Sequence, residues 1–326
     1  MKFDLKTALK YILLFLIGIG VLYLAFKGQD LSKIWREIRS ANYFWIIVSA
    51  FMVWVAHVLR ALRWQMLYRS IHYDVSFWNV YHAVIIGYLA NLALPRFGEI
   101  GRCTSVHKTD RVPMFAAIGT VITERLFDVL VLLATGLAVV VFQYNIVYQF
   151  LYQSIYVKLW QKLINLNFLW LLAIGAIVAL SIAFGIYIVR KKVGRKLLRV
   201  LVGLRQGFGS YHKLKQKQLF IAYTLGIWVA YLLSMYFCFL AILPTQNLGL
   251  AAAFTALVFS GFAMAAPVQG GIGVFHWMVA QALALYGVVF KDALAYATII
   301  HSSQVLLILI LGSLSSFKVI SKVASR

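Results

Sequence analysis

Apolar runs of about twenty residues recur along this chain, and a run of that length has one stable destination. A helix rising ~1.5 Å per residue crosses a ~30 Å hydrocarbon core in ~20 residues. Continuous runs of this kind lie at 9–26, 43–63, 168–189, 219–243 and 293–314. Of 326 residues, 63% are hydrophobic and 12% charged, against about 25% charged in a soluble domain. The sequence therefore predicts an all-α polytopic membrane protein, a single integral-membrane domain over 1–326. The run at 9–26 is too long for a signal-peptide core and reads as a retained span.

Lys and Arg number 31 against 9 Asp and Glu, a formal charge of +22. In a chain this apolar such an excess reports topology before it reports nucleic acid, because basic residues collect in cytoplasmic loops. The segment 190–217 is the densest basic stretch and contains no acid, so it is expected on the cytoplasmic side.

Two regions do not behave as simple spans. In the first, 77–111, the stretch "ANLALPRFGEIGR" at 90–102 interrupts an apolar run with Pro95 and two glycines. In the second, 250–290, "PVQGGIG" at 267–273 does the same. If each region enters and leaves on one face, the first from the cytoplasm and the second from outside, both termini and the basic loop fall inside. Lys27, Lys33, Arg36, Arg39, Lys158, Lys162 and Lys291 then lie outside, and Arg96, Arg102 and Arg125 lie within the membrane. The expected architecture is about six full transmembrane helices plus two opposed re-entrant helical hairpins, both termini cytoplasmic. Broken helices at membrane depth survive where protein or enclosed water satisfies their backbone, and carriers use them to build midplane binding sites. Leu31, Ile34, Trp35 and Ile38 recur at helical spacing behind Asp30, a candidate N-cap, and a second stripe runs over 147–163; both suit an interfacial helix.

Three of the nine acidic residues, Glu99, Glu124 and Asp128, sit in or beside these breaks. A charge at the bilayer centre costs roughly 2.5–3.5 kcal/mol on insertion scales, so these residues are expected to meet the nearby arginines. Glu124 follows Pro113 by eleven residues, or ~16 Å of helix, which places it near mid-bilayer beside the tip of the first hairpin. The expectation is a compact network of Arg96, Arg102 and Arg125 with Glu99, Glu124 and Asp128, net charge near zero. It could clamp a hairpin to a helix, or offer guanidinium donors to a phosphate. In the second break Gln269, Gly270, Gly271 and Gly273 permit unusual backbone angles, and a helix restarting at Gly273 would aim its N–H groups at the centre. His57, Arg60, His301, Ser302, Ser303 and Gln304 are mid-span polar residues that suggest a polar cavity. His276 occupies the third glycine position of a GxGxxG pattern, which excludes a dinucleotide-binding reading.

"NLALPRFGEIGR", "TERLFD" at 123–128 and "PVQGGIGVF", in that order, resemble the integral-membrane domain of the lysylphosphatidylglycerol synthase and flippase family. The resemblance extends over nearly the whole chain and is to stand-alone members without the synthase domain. It places family motif positions on Asn91, Pro95, Arg96, Gly98, Glu99 and Arg102, on Glu124, Arg125 and Asp128, and on Pro267, Gly270, Gly271 and Gly273. Relatives often carry a glutamate where this chain has His276, which sets apart its headgroup preference.

The resemblance and the charged breaks together imply a multi-pass cell-membrane lipid translocase or carrier, flippase- or scramblase-like. A phospholipid or glycolipid headgroup would be held by Asn91, Arg96, Glu99, Arg102, Glu124, Arg125, Asp128, Gln269, Gly270, Gly271, His276, His301 and Gln304. The expected partners are membrane lipids, not nucleic acid, with self-association left open; no cofactor, metal or catalytic residue is expected. No Walker A motif is present, so ATP would not drive transport directly. Two alternatives remain at this stage. One is an integral-membrane transferase on a lipid phosphate, with Glu124 and Asp128 on Mg²⁺. The other is a non-transporting lipid-binding scaffold built on the basic loop.

Overall fold

The computed structural model describes residues 31–94, 96–145 and 214–324, the stretch 22–27 and the single positions 16, 19, 20, 148, 152 and 211. The expected span at 168–189, nearly all of the basic loop, most of the 147–163 stripe, most of the first span, Asp30 and Pro95 lie outside the described residues.

Besides a helical stretch at 22–26, the described residues include these α-helices and short 3-10 turns: α1 Leu31–Ser40, α2 Tyr43–Ser70, α3 Phe77–Ala93, α4 Phe97–Asp110, α5 Met114–Phe142, α6 Lys217–Phe239, a turn at Leu243–Thr245, α7 Leu250–Ala265, a turn at Gln269–Gly271, α8 Val274–Ala284 and α9 Phe290–Ala324. Four of them, α2, α5, α6 and α9, are long and apolar enough to cross a membrane. The helix α2 outruns the apolar segment expected at 43–63 by a full two turns. Arg60, Arg63 and Gln65 lower its hydropathy without breaking it, because neither proline nor glycine interrupts 43–70. Its first turn is capped by Asn42, whose side chain accepts from the Phe44 N–H at 3.1 Å.

The two broken regions are helix–break–helix units. The helices α3 and α4 pack on each other across the break after Leu94, and α7 and α8 pack across 266–273. Ala266 is extended, at φ −62° and ψ 143°, as the residue before a proline must be, and this ends α7.

The apolar interior is divided between the ends of α6 and α9. Phe220 near the start of α6 and Ile308 in the later half of α9 pack with Val80, Val84 and Ile85 of α3 and Cys103 and Val106 of α4. Met235, Cys238 and Phe239 at the end of α6, with Ala293 to Ile300 of α9, pack with α7 and α8. Each broken unit thus has its own core, at its own end of the long helices. The two tips approach between them: a Cβ built on Gly270 would lie 3.0 Å from Leu92 Cδ2, and the Arg96 Nη2 donates to the Ala265 carbonyl at 3.3 Å.

Candidate functional site

Gly98 sets the geometry of the first tip. Its backbone comes so close to α3 that a Cβ there would sit 1.9 Å from the Gly87 carbonyl oxygen and 2.7 Å from the Asn91 side chain. Asn91 Oδ1 accepts from the Gly98 N–H at 2.8 Å. This bond satisfies one of the unpaired N–H groups at the start of α4, and Asn91 is a fastener of the tip.

Arg96, at the N-cap of α4, is in the left-handed region at φ 63° and ψ 3°. A side-chain-bearing residue there costs roughly 1–2 kcal/mol, and this backbone turns Arg96 toward α7, not toward the carboxylates. Its expected place in the ionic network is therefore corrected: among the described residues it makes no ion pair, and its guanidinium bonds the Ala265 carbonyl. Arg96→Gly should raise stability by up to ~1 kcal/mol by removing that strain. Thermal unfolding in detergent checks this, and a fall of more than ~1 kcal/mol would mean that the tip-to-tip bond outweighs the strain.

The ionic network is built instead around two arginines of α2. Glu124 Oε1 accepts from Arg60 Nη1 at 2.7 Å and from Arg102 Nη1 at 3.2 Å, and lies 3.5 Å from Arg63 Nη2. Asp128 accepts from Arg60 at 2.6 Å and from Arg63 at 2.7 Å, with Arg125 Nη1 at 3.6 Å. Arg125 Nε pairs with Glu99 at 2.8 Å, at the half-exposed edge of the cluster. Glu124 and Arg63 are wholly buried. Arg63 also donates to Thr224 of α6 at 3.1 Å, and Arg102 lies over the Trp64 ring at 4.6 Å. Four helices, α2, α4, α5 and α6, are thereby tied at one point.

Arg60 and Arg63 were the residues that sequence reasoning missed in this role. Arg60 stood out only as mid-span polarity and Arg63 not at all, although their i, i+3 spacing puts both on one face of α2, facing the i, i+4 pair Glu124 and Asp128. The charge balance changes with them. Four guanidinium groups meet three carboxylates, so the cluster carries one excess positive charge and is not neutral. Arg102 Nε and Nη2 and the Nε of Arg60 and of Arg63 are buried without a hydrogen-bond partner.

At the second break Gly270, Gly271 and Gly273 have φ of 55°, 75° and 81°, angles that only glycine adopts without strain. The chain turns there in a short span and α8 begins at Val274. His301 Nε2 donates to the Gly270 carbonyl at 2.8 Å, which pins the turn to the long helix α9. The rings of His276 and His301 lie 4.8 Å apart, edge to face. Both are buried, as is Gln269. Gln304 is half-buried on α9 and joins no hydrogen bond of this group.

Over residues 11–312 the chain matches the family model described as the lysylphosphatidylglycerol synthase TM region. The chain belongs to this family. No curated protein and no solved structure is found similar to it. Within this lysylphosphatidylglycerol synthase TM-region chain, the site residues fall into two groups joined where the two helix breaks approach each other. Glu99, Arg102, Glu124, Arg125 and Asp128 form the ionic group with Arg60 and Arg63. Gln269, Gly270, Gly271, His276 and His301 form the second. Asn91 and Arg96 occupy the junction.

Proposed function

We propose that this protein moves a phosphate-bearing lipid headgroup across the cell membrane, through the region between the two helix breaks, while the acyl chains stay in the bilayer. In this reading α2, α5, α6 and α9 are four of six full spans, with 9–26 and 168–189 as the other two. The regions 77–111 and 250–290 are re-entrant hairpins from opposite faces, and both termini are cytoplasmic. The division of the apolar core between opposite ends of α6 and α9 supports opposed hairpins.

The observation that carries the reading is the excess of guanidinium over carboxylate in the bundle interior, with two buried nitrogens of Arg102, Nε and Nη2, unpartnered. Guanidinium groups bind phosphate through paired N–H donors, and a buried donor without a partner costs about 1–3 kcal/mol. An anionic headgroup would supply both the missing charge and the missing acceptors. Glu124 and Asp128 could hold Mg²⁺ as a bare pair, but each is already gripped by arginines. Carriage is favoured over metal-assisted transfer on that ground.

The test is translocation of a fluorescent phospholipid in reconstituted vesicles, read by chemical quenching of the outer leaflet. Loss of a charge-assisted hydrogen bond to phosphate is worth about 1.5–3 kcal/mol, so Arg102→Gln should slow translocation about 10- to 100-fold at matched folded protein. Arg102→Lys, which keeps the charge, should fall between. Equal rates for all three proteins would remove the reading.

A further inference from the structure

We propose that His57 is a proton-binding site coupled to the headgroup, so that one proton crosses with each phosphate-bearing lipid. This rests on the translocase reading above and adds the coupling ion to it. His57 lies at the middle of α2, one turn before Arg60, and is 3% exposed. Among the described residues neither of its ring nitrogens has a hydrogen-bond partner. Buried polar groups are ordinarily bonded, and an imidazole without bonds carries a desolvation cost that an apolar ring would avoid. What the imidazole offers in exchange is a site for a proton.

The surroundings join that proton to the ionic cluster. On its own helix, Arg60 is the charge that acts on His57, and the same guanidinium bridges Glu124 and Asp128. From α3, the Tyr88 ring lies 4.4 Å from the imidazole. From α6, the Tyr231 hydroxyl reaches both Tyr88 and Arg60. From α5, Glu124, Asp128 and Arg125 stand behind Arg60. On α9 the titratable groups are engaged elsewhere: Tyr296 on the Met235 carbonyl, His301 on the Gly270 carbonyl and Lys322 on Asn79, with Lys291, Asp292 and Lys318 toward the ends of the helix. A proton on His57 would therefore be a second uncompensated positive charge, beside a cluster that already has one in excess. A bound phosphate changes the sum. It cancels the first excess and makes room for the proton.

At an effective dielectric of about 20, a phosphate about 8 Å from an imidazolium favours protonation roughly thirtyfold. By linkage the proton favours the phosphate by the same factor. The proton comes from water on the side where the headgroup enters and returns to water where it leaves, so a monoanionic phospholipid crosses with no net charge.

The experiment uses buffered phosphatidylcholine vesicles containing the full chain and a trace of fluorescent phosphatidylglycerol, spread evenly over both leaflets at the start. With the lumen about one pH unit more alkaline than the outside, the wild type should enrich the label about tenfold in the inner leaflet, read by chemical quenching of the outer one. Reversing the gradient should reverse the enrichment, and protein-free vesicles set the baseline. His57→Gln should abolish the bias, with His57→Asn in its place should that variant fail to fold. Movement itself is scored separately, without a gradient, from label added to the outer leaflet alone. Wild-type protein that moves the label yet leaves the leaflets even under the gradient would overturn proton coupling and leave the translocase reading intact. A bias that persists in the His57 variants would overturn the assignment to His57. Wild-type protein that moves no label would remove the translocase reading itself, and the coupling with it.

Discussion

Glu124→Gln should cost about 3–5 kcal/mol of stability, the range found when one partner of a buried ion pair is removed. Glutamine preserves the volume, so the loss would be electrostatic and not a cavity effect. Arg60, Arg63 and Arg102 all converge on this one carboxylate, and without it Asp128 alone is left to hold Arg60 and Arg63. Thermal unfolding of purified protein in detergent measures the effect. The double variant Glu124→Gln with Arg102→Gln restores the wild-type excess of one positive charge and should recover at least half of the loss. A single variant that unfolds with the wild type would show that the cluster does not hold α2, α4 and α5 together.

Gly98→Ala should be nearly as damaging for a different reason. The added methyl would lie 1.9 Å from a backbone carbonyl of α3, and a helix backbone cannot rotate away as a side chain can. The helices α3 and α4 would have to separate by about an ångström, costing about 3 kcal/mol, at the upper end of overpacking penalties. Separation would also break the Asn91 bond and carry Arg96 off the second tip, so translocation should fall more than stability alone implies. Gly101, three residues on, is the control. A Cβ there meets only the Ala90 Cβ at 3.6 Å, and Gly101→Ala should be neutral or stabilising by about 0.5–1 kcal/mol. Equal behaviour of the two variants would contradict the close approach at Gly98.

Much of this arrangement could be read from the chain, for identifiable reasons. Pro267 and the glycines that follow it dictate a break wherever the chain goes, so α7 and α8 were expected close to where they occur. Glu124 and Asp128, four residues apart in an apolar helix, required cations on their own face. Which cations could not be read. Arg60 and Arg63 lie inside the apolar run 43–63, and an arginine within a span reads alike whether it reaches water or a buried carboxylate. Arg96 failed in the other direction: it lies beside Glu99 in sequence, and only its left-handed backbone, which no residue pattern announces, turns it toward Ala265. The contact of Gly98 with Gly87 was equally silent, because a glycine in a sequence does not state whether it serves a turn or a close approach. The meeting of the two tips rests on tertiary packing along α9, where His301 holds Gly270.

The most direct measurement of the central claim is headgroup photocrosslinking. A phospholipid with a photoreactive group on its headgroup, incorporated into vesicles with the full chain, is activated and the adducts are mapped by mass spectrometry. The account predicts adducts concentrated on 91–102 and 264–276 and competed by unlabelled phosphatidylglycerol. Adducts confined to the outward faces of the long helices, at Leu133 and Leu137 of α5 or Leu306 and Ile310 of α9, would contradict it.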